Sequence, residues 1–339
     1  MFIGFWHSQE SFNFQKDILT ISKEQMLGED PVIPLKHLFD KINSKQKIEF
    51  INLDKINDYD MFIFFNFPIN QDLIKIIKED KRPMYLICAE APTIDKNTWN
   101  KSNHTYFKKI FTWDDECIDN FKYFKINHPT YLKNNNSLNK KIKKNFCVMI
   151  NSNKSNKHKN DLYRERRKII NWFEKNNSHK FDLYGYGWND FHFKGSRYLK
   201  KIFSSKYLKN FLSPKLNTYK GEYNGLKKNL LENYKFCICF ENAKNYSGLV
   251  TEKIFHCFYS GCIPIYFGAQ NISDLISSDC YIDYRKFENP SSMYNFLISL
   301  SEQNIKKYVE NIESFLQGDQ FNQFEIKSFV NTIYGEINE

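Results

Sequence analysis

Residues 236–268 read FCICFENAKNYSGLVTEKIFHCFYSGCIPIYFG, and they determine the architecture of the chain around them. The apolar ends of this stretch, Phe236–Phe240 and Cys262–Phe267, are short and continuous, which is typical of parallel strands buried on both faces. A helix is predicted between them, because Thr251 can cap its start and Gly261 can supply a left-handed stop. The order strand, loop, helix, strand predicts one βαβ unit.

Polar residues crowd the edge of this unit at which a parallel sheet binds its ligands. Glu241 and Asn242 end the first strand, and Glu252 and Lys253 open the helix. Ligands collect outside the carboxyl ends of parallel strands, where a helix N-terminus offers unpaired N–H groups to phosphate oxygens. Lys253 would add a full positive charge there, while the other three side chains suit sugar hydroxyls. The stretch therefore predicts a site for a nucleotide-type ligand.

The same stretch resembles the donor-binding signature of the α-1,3/4-fucosyltransferases, glycosyltransferase family 10, and the chain resembles the bacterial type of this family. The resemblance rests on FEN at 240–242, VTEK at 250–253, Pro264 and Gly268. Two features depart from it: the loop between FEN and VTEK is one residue longer than in the commonest members, and Leu249 stands where they carry an aromatic residue. The resemblance implies that the donor, GDP-fucose, is bound by these residues: Glu241, Asn242, Leu249, Val250, Thr251, Glu252 and Lys253.

Length and charge agree with this interpretation. A chain of 339 residues exceeds one average domain, so we expect two domains that share a cleft. The formal charge of +10 favours an anionic partner, which could be a nucleic acid, a lipid surface or a nucleotide sugar. The lysines are scattered along the chain and no nucleic-acid-binding motif occurs, so we predict no nucleic-acid partner.

The cysteines and the apolar segments bear on the cellular compartment. Most of the eight cysteines lie inside apolar runs, as expected of small buried hydrophobic residues in a reducing compartment, and no paired CxxC suggests zinc. The N-terminus lacks a signal-peptide pattern, and no stretch approaches the ~18 apolar residues of a membrane-spanning helix. We therefore predict a cytoplasmic protein.

Short apolar runs alternate with helical stretches along the chain, which predicts an α/β fold. A polar segment at 134–145 is the predicted linker between two such series. We expect an acceptor-binding domain over 1–140, a donor-binding domain over 146–310 and a helical tail over 311–339. Two facing α/β domains form the GT-B architecture, which the resemblance also implies. The strands predicted in the first series and after the linker are Phe2–Trp6, Ile48–Leu53, Met61–Phe65, Met84–Ala89, Ile110–Trp113, 146–150 and 181–185.

Glu90 is the candidate general base. It directly follows the strand Met84–Ala89 and precedes Pro92, so its carboxylate should emerge at the carboxyl edge of the first sheet, facing the cleft. The sequence AEAPTI at 89–94 also resembles an element of the family whose glutamate is the base. The alternative is that Glu90 only caps the turn after the strand. Residues 66–72 follow another strand and are expected on the acceptor side for the same reason.

A cluster of cations at the start of the second domain offers partners for a diphosphate. The resemblance implies that an arginine opening the helix after the first strand of this domain contacts the diphosphate, and the spacing favours Arg166 over its neighbours Arg164 and Arg167. Arg166 and Lys253 together would replace a metal ion, so we predict neither a metal nor a cofactor. Residues 114–116 are predicted as a turn and helix start, and His256 as a packing or surface residue.

Two further segments carry weaker signals. A loop formed by Tyr219, Lys220 and Gly221, followed by a helix opened by Lys227 or Lys228, could contact the donor or simply lead into the next strand. Residues 196–212 form an amphipathic basic pattern. Its apolar side could face a core, or it could lie on an anionic membrane at the inner face of the inner membrane.

The resemblance implies an inverting transferase that moves L-fucose from GDP-fucose to a hydroxyl of N-acetylglucosamine. We expect an α-1,3 linkage on an N-acetyllactosamine-type acceptor in a bacterial surface glycan such as the lipopolysaccharide O-antigen, as in Lewis antigens. Two alternatives remain. One is a transferase of the same family that uses another GDP-linked deoxysugar, and the other is a glycan-binding module without activity.

Overall fold

The computed structural model describes residues 1–7, 18, 32–130, 143–189 and 215–339. These residues form two α/β units, each built on a six-stranded sheet whose neighbouring strands all run parallel. The predicted α/β class is therefore confirmed.

The first sheet has the strand order β2-β1-β3-β4-β5-β6. Its order reverses between β1 and β3, so the carboxyl ends of these two strands border the crevice in which a sheet of this type binds ligands. The strands are β1 Phe2–His7, β2 Lys47–Phe50, β3 Met61–Phe65, β4 Met84–Cys88, β5 Lys109–Thr112 and β6 Tyr123–Lys125.

The second sheet has the order β12-β11-β10-β7-β8-β9, which is the arrangement of a dinucleotide-binding fold. Its order reverses between β7 and β10. The FEN element at 240–242 therefore begins with the last residue of β10, a strand that borders the switch point. The strands are β7 Asn145–Ile150, β8 Phe181–Tyr184, β9 Tyr219–Gly221, β10 Tyr234–Phe240, β11 Ile263–Phe267 and β12 Ile282–Asp283.

Helices cover the faces of both sheets. Because both faces are covered, the strands can be apolar throughout, and β4, for example, is buried along its whole length. The helices are α1 Ile33–Asn43, α2 Gln71–Glu79, α3 Lys101–His104, α4 Tyr163–Asn176, α5 Lys227–Leu231, α6 Glu252–Tyr259, α7 Ile272–Leu275, α8 Pro290–Ser299, α9 Glu302–Gln317 and α10 Ile326–Ile337.

Helix α6 ends as the sequence predicts. Gly261 adopts a φ of +60°, and the N–H of Gly261 donates to the carbonyl of Phe258 at 3.0 Å while the N–H of Cys262 donates to that of Cys257 at 2.9 Å. This pair of bonds is a Schellman motif, which satisfies the last carbonyls of the helix. Thr251 occupies the N-cap position, but its side chain makes no capping hydrogen bond. The predicted cap is wrong in that respect.

The last helix belongs spatially to the first domain. Helix α9 packs within the core of the second domain, whereas Phe329, Ile333 and Ile337 of α10 lie in the same apolar cluster as Leu38 of α1. The boundary predicted at residue 310 falls inside α9. The chain leaves the second domain after α9 and returns to the first domain in the turn that precedes α10.

Several predicted elements differ from the structure or lie outside it. The strand predicted over Ile48–Leu53 ends at Phe50. Two residues later, Asn52 caps a 3₁₀ turn that begins at Leu53. Tyr219–Gly221 is an edge strand rather than a loop. Most of the predicted linker, residues 134–142, and the basic segment 196–212 lie outside the described residues.

All eight cysteines are unpaired thiols, and seven of them are buried. Six lie in the core of the second domain: Cys147, Cys237, Cys239, Cys257, Cys262 and Cys280. No helix in the part of the chain that the structure describes is both long enough and apolar enough to cross a lipid bilayer.

Candidate active site

A cavity of about 400 Å³ lies between the two sheets. The first domain contributes residues that end or follow its strands, including His7, Asn66 and Glu90. The second domain contributes the end of β10 and the start of α6, including Glu252 and Lys253. The cavity therefore joins the two edges at which sheets of this kind bind ligands.

Glu241 holds together the second-domain side of the cavity. Its carboxylate is fully buried and accepts hydrogen bonds from the backbone N–H and the hydroxyl of Thr251 and from the ammonium of Lys253, at 2.8–3.0 Å. A Cβ atom at Gly268 would lie 2.4 Å from Cγ of Glu241, so only glycine fits beside this side chain. Glu241 thus fixes the loop and the start of α6 from beneath the cavity.

Lys253 and Glu252 place opposite charges at the N-terminus of α6. Lys253 also donates to the Thr251 hydroxyl at 2.9 Å, so two of its three N–H groups are held in place. Burial lowers the pKa of Lys253, but Glu241 and Glu252 outweigh this effect and raise it above its ordinary value. The ammonium is therefore charged at neutral pH and has a third N–H for an anionic ligand.

Glu252 stays ionised in the cavity for a related reason. Burial raises its pKa, but the cations Lys253 and Lys227 and the imidazoles of His256 and His128 lower it to about 2. Lys227, one of the two lysines predicted to open a helix, lines the cavity with its ammonium 3.3 Å from Nε2 of His256. His256 is a buried residue of the cavity wall.

Glu90 lies on the opposite side, in a backbone segment held at both ends. Oδ1 of Asn66 accepts from the N–H of Ala89 at 2.9 Å and from that of Glu90 at 3.2 Å. The carbonyl of Glu90 accepts from the indole of Trp99 at 2.6 Å, and that of Ala89 from the indole of Trp113 at 3.0 Å. The structure places Glu90 in the cavity wall, as the sequence predicts.

Burial raises the pKa of Glu90, while the positive charge of Lys253 partly offsets the rise and Glu252 adds to it. A carboxylate with a raised pKa is a stronger base than an exposed one. Since Glu90 and Lys253 face one cavity from different domains, a ligand between them meets a base on one side and a cation on the other.

Sequence reasoning did not single out three polar residues that the first domain contributes to the cavity. His7 ends β1 and stacks on Phe65 with ring centroids 4.5 Å apart, and burial lowers its pKa to about 4. Asn127 and His128 follow β6 and line the cavity. The signal that identified Glu90, a polar residue directly after an apolar strand, also applies to His7.

The loop between β10 and α6 docks onto the first domain. Gly248 has a φ of +84°, and a Cβ there would lie 2.1 Å from the carbonyl oxygen of Trp113. Asn271 links the two sides: its Oδ1 accepts from the N–H of Gly248 at 2.8 Å and its Nδ2 donates to Asp115 at 2.9 Å. Leu249 packs in a small apolar cluster with Ala91 and Trp113.

The acidic residues at 114–116 form the predicted turn. Asp114 caps a 3₁₀ turn over Asp115–Cys117, and Asp115 pairs with Lys125 at 2.5 Å. In the described parts of the chain, no group of three or more His, Cys, Asp or Glu residues has an arrangement suited to a metal ion.

Arg166 is placed behind the cavity rather than in its wall. Its Nη2 donates to the carbonyls of Phe240 and Glu241 at 2.6 and 2.7 Å, and only 3% of the residue is exposed. The structure shows it bracing the end of β10 through these bonds. Of the alternatives, Arg164 is exposed, and Arg167 donates to the carbonyl of Lys154 at 2.6 Å.

The other residues predicted to bind the donor are spread between the cavity wall, the core of the second domain and the edge of its sheet. Val250 is buried in the core of the second domain, and Asn242 lines the cavity while its Oδ1 accepts from Arg166 at 3.2 Å. Tyr219, Lys220 and Gly221 form the edge strand β9, which β7 and β8 separate from β10. The structure does not bring these three residues to the cavity wall.

Comparison with known proteins gives a family match over the second domain. The profile described as Glycosyltransferase family 10 (fucosyltransferase) C-term matches residues 140–317, just over half of the chain. An α-(1,3)-fucosyltransferase of Helicobacter pylori is 40% identical over 68 residues, which are 20% of this chain and 14% of that protein. An α-(1,4)-fucosyltransferase of Arabidopsis thaliana is 36% identical over 72 residues, or 21% and 18% of the two chains. The chain thus spans less than a quarter of the length of these curated relatives.

Solved structures match the whole fold. The crystal structure of an α1,3-fucosyltransferase superposes with a TM-score of 0.59 and 15% identity, covering 100% of this chain and 90% of that one. T4 phage BGT in complex with UDP-glucose gives a TM-score of 0.54 at 13% identity, covering 98% of both chains. These likenesses, with the two parallel-sheet domains, confirm the predicted GT-B architecture.

Asn66 generates a prediction about stability. Replacing it with alanine leaves the N–H groups of Ala89 and Glu90 without their acceptor and strains a residue whose φ is +59°. We expect Asn66→Ala to lower the free energy of unfolding by about 3 kcal/mol, and Asn66→Gly, which tolerates this φ, by about 2 kcal/mol. Urea unfolding measures both.

The matched control is Asn70→Ala, which removes the half-buried N-cap of α2 and should cost about 1 kcal/mol. Equal losses for Asn66→Ala and Asn70→Ala would contradict the role of Asn66.

His7 generates a prediction about pH. Because its pKa falls from 6.5 to about 4 in the folded state, the unfolded chain alone binds this proton as the pH drops from 6.5. The stability contributed by neutral His7 is therefore complete above pH 6.5 and is lost towards pH 4, by up to about 3 kcal/mol. In urea unfolding at pH 7 and 4.5, His7→Gln should reduce this loss, whereas the exposed His179→Gln should not. Identical pH dependence in the wild type and His7→Gln would contradict the assignment.

Proposed function

Because the chain belongs to glycosyltransferase family 10, the fucosyltransferases, we propose that it transfers L-fucose from GDP-fucose to a hydroxyl of a sugar acceptor. One observation carries the proposal: Glu90 of the first domain and Lys253 of the second line the same cavity between two nucleotide-binding-type sheets. A base facing a fixed cation across a cleft is the arrangement that glycosyl transfer from a nucleotide sugar needs.

The departing GDP is stabilised by the second domain. Lys253 is held by Glu241 and Thr251 and keeps one N–H for a phosphate oxygen, and it stands at the N-terminus of α6, where the helix dipole also favours an anion. A positioned cation lowers the barrier by stabilising charge as it develops on the leaving group. We propose that transfer proceeds in this way without a resident metal ion.

The acceptor is activated by the first domain. Glu90 takes the proton of the acceptor hydroxyl, the hydroxyl oxygen forms a bond to the anomeric carbon of fucose, and the bond from that carbon to the phosphate oxygen breaks. The ionised carboxylate of Glu252 lies in the same cavity and can stabilise positive charge on the sugar ring. A base and a leaving-group cation on different domains favour attack opposite the departing GDP, and therefore inversion.

For the acceptor we propose N-acetylglucosamine in an N-acetyllactosamine-type unit, with an α-1,3 linkage. The matched segment is 40% identical to the α-(1,3)-fucosyltransferase of Helicobacter pylori and 36% identical to the α-(1,4)-fucosyltransferase of Arabidopsis thaliana. The higher identity to the bacterial enzyme supports the choice of an α-1,3 linkage over an α-1,4 linkage. A lipopolysaccharide O-antigen assembled at the cytoplasmic face of the membrane is the proposed setting.

A panel of donors tests the proposal. We expect release of GDP, and transfer to N-acetyllactosamine, with GDP-fucose, and no turnover with UDP- or CMP-sugars, since the family match lies over the donor domain. The panel includes GDP-mannose and other GDP-linked deoxysugars. Turnover with only one of these sugars would identify that sugar, instead of fucose, as the one transferred. Turnover of a UDP-sugar without GDP-fucose activity would overturn the proposal.

Glu90→Gln tests the base. The variant keeps the size of the side chain but cannot accept the proton, so kcat should fall by roughly 10²–10⁴-fold. The dissociation constant of GDP-fucose, measured by calorimetry, should change little, because the donor is held by the other domain. In the wild type, kcat should fall at acid pH with an apparent pKa above that of an ordinary glutamate.

The control is Glu79→Gln, at an exposed residue at the end of α2. It should leave kcat unchanged. Full activity of Glu90→Gln would refute the role of Glu90 as the base and favour a turn-capping role.

A further inference from the structure

The segment that follows β6 is held rigidly along one wall of the cavity. The N–H of Ile126 donates to the carbonyl of Thr112 at 2.9 Å, and the N–H of Thr130 donates to the carbonyl of Phe324 at 2.8 Å. The hydroxyl groups of Thr130 and Tyr259 lie 2.9 Å apart. Residues 126–130 are therefore fixed by the first sheet, by the turn before α10 and by helix α6.

Within this segment, two polar atoms are buried without a hydrogen-bond partner. They are Oδ1 of Asn127, a residue that is 6% exposed, and Nε2 of His128. A buried polar group without a partner costs about 1–3 kcal/mol, so folded proteins rarely keep one unless a ligand or water uses it. Both residues belong to the cavity wall, so each unpartnered atom lies in a side chain that borders the space open to a ligand.

The hydrogen-bonding character of the two side chains limits what they can bind. Nδ2 of Asn127 donates to the carbonyl and the side-chain oxygen of Gln323 at 3.2 and 3.3 Å, so the amide is oriented and its Oδ1 is left as an acceptor. Oδ1 therefore requires a hydroxyl or N–H donor from the ligand.

His128 is neutral at physiological pH, since burial lowers its pKa although the facing carboxylates Glu252 and Glu241 oppose this effect. Lys253 and Lys125 also act on it and lower its pKa further. A neutral imidazole can donate or accept at Nε2, which suits a sugar hydroxyl rather than a charged group.

We propose that Asn127 and His128 form a subsite that binds hydroxyl or acetamido N–H groups of the acceptor sugar. The inference rests on the proposed function and adds two specificity-determining residues to it. Both belong to the carboxyl edge of the first sheet, as Glu90 does, whereas the groups that hold the donor belong to α6 and the end of β10. A sugar that presents one hydroxyl to Glu90 can present others to this wall.

The experiment compares Asn127→Ala and His128→Ala with the wild type in three measurements: the KM for N-acetyllactosamine, the rate of GDP-fucose hydrolysis without acceptor, and the direct binding of N-acetyllactosamine by saturation-transfer NMR with GDP present. We expect the acceptor KM to rise about tenfold in each variant and the NMR signal to weaken. Donor hydrolysis should stay within about twofold, which also demonstrates that the variants are folded.

His104→Gln is the matched control, because His104 is another buried histidine of the first domain with a lowered pKa, but both of its ring nitrogens bond to protein atoms, Tyr123 and Thr98. It should lower thermal stability and leave the acceptor KM unchanged. An acceptor KM raised equally by His104→Gln would indicate a general loss of structure and overturn the inference.

Two other outcomes would also overturn it. Unchanged acceptor binding in both variants would exclude the subsite, and a parallel loss of GDP-fucose hydrolysis would assign the two residues to the fucose instead. If the wild type does not bind GDP-fucose, the proposed function fails, and the NMR comparison of acceptor binding still decides the subsite.

Discussion

The ion pair between Glu241 and Lys253 is the interaction on which the site depends. A fully buried carboxylate is tolerated only when its charge is paired and its oxygens are hydrogen-bonded, and Thr251 and Lys253 meet both requirements. Removal of either partner would leave an uncompensated charge beneath the cavity. The pair also fixes the start of α6 relative to the end of β10. The same contacts that stabilise the second domain therefore direct the ammonium towards the cleft, and Gly268 leaves the space they need.

A second constraint concerns the distance between the domains. The loop before α6 touches the first domain through Gly248, Leu249 and the link from Asn271 to Asp115. Trp113 takes part in this contact and also holds the carbonyl of Ala89. The base and the cation are therefore tied to one another through a short series of packed residues, so a change in the loop would alter the position of both. The extra residue and the leucine that set this loop apart from the family pattern fall in that contact.

The sequence predicted the elements of the fold well because both sheets are parallel and covered, so their strands appear as continuous apolar runs. It also placed Glu90 correctly in the cavity wall, although its role as a base stays a prediction. The orientation of single side chains was not predictable. Arg166 and Val250 lie beside the site in sequence, yet one bonds to backbone carbonyls and the other packs in the core. Neighbouring positions on an element face different directions, and only tertiary packing decides between them. Asn127 shows the converse, since nothing in the local sequence distinguishes it from other asparagines.

Helix α10 has a consequence for the order in which the protein is made. The first sheet is complete in sequence by residue 125, but Phe329, Val330 and Ile333 supply part of its apolar core more than two hundred residues later. During synthesis, the apolar surface of helix α1 that packs against α10 stays uncovered until the ribosome has released residues 326–337. The second domain can form its own sheet in that interval. The domain that emerges first is therefore the last to be finished, and the period before its closure is when the nascent chain is most exposed to aggregation.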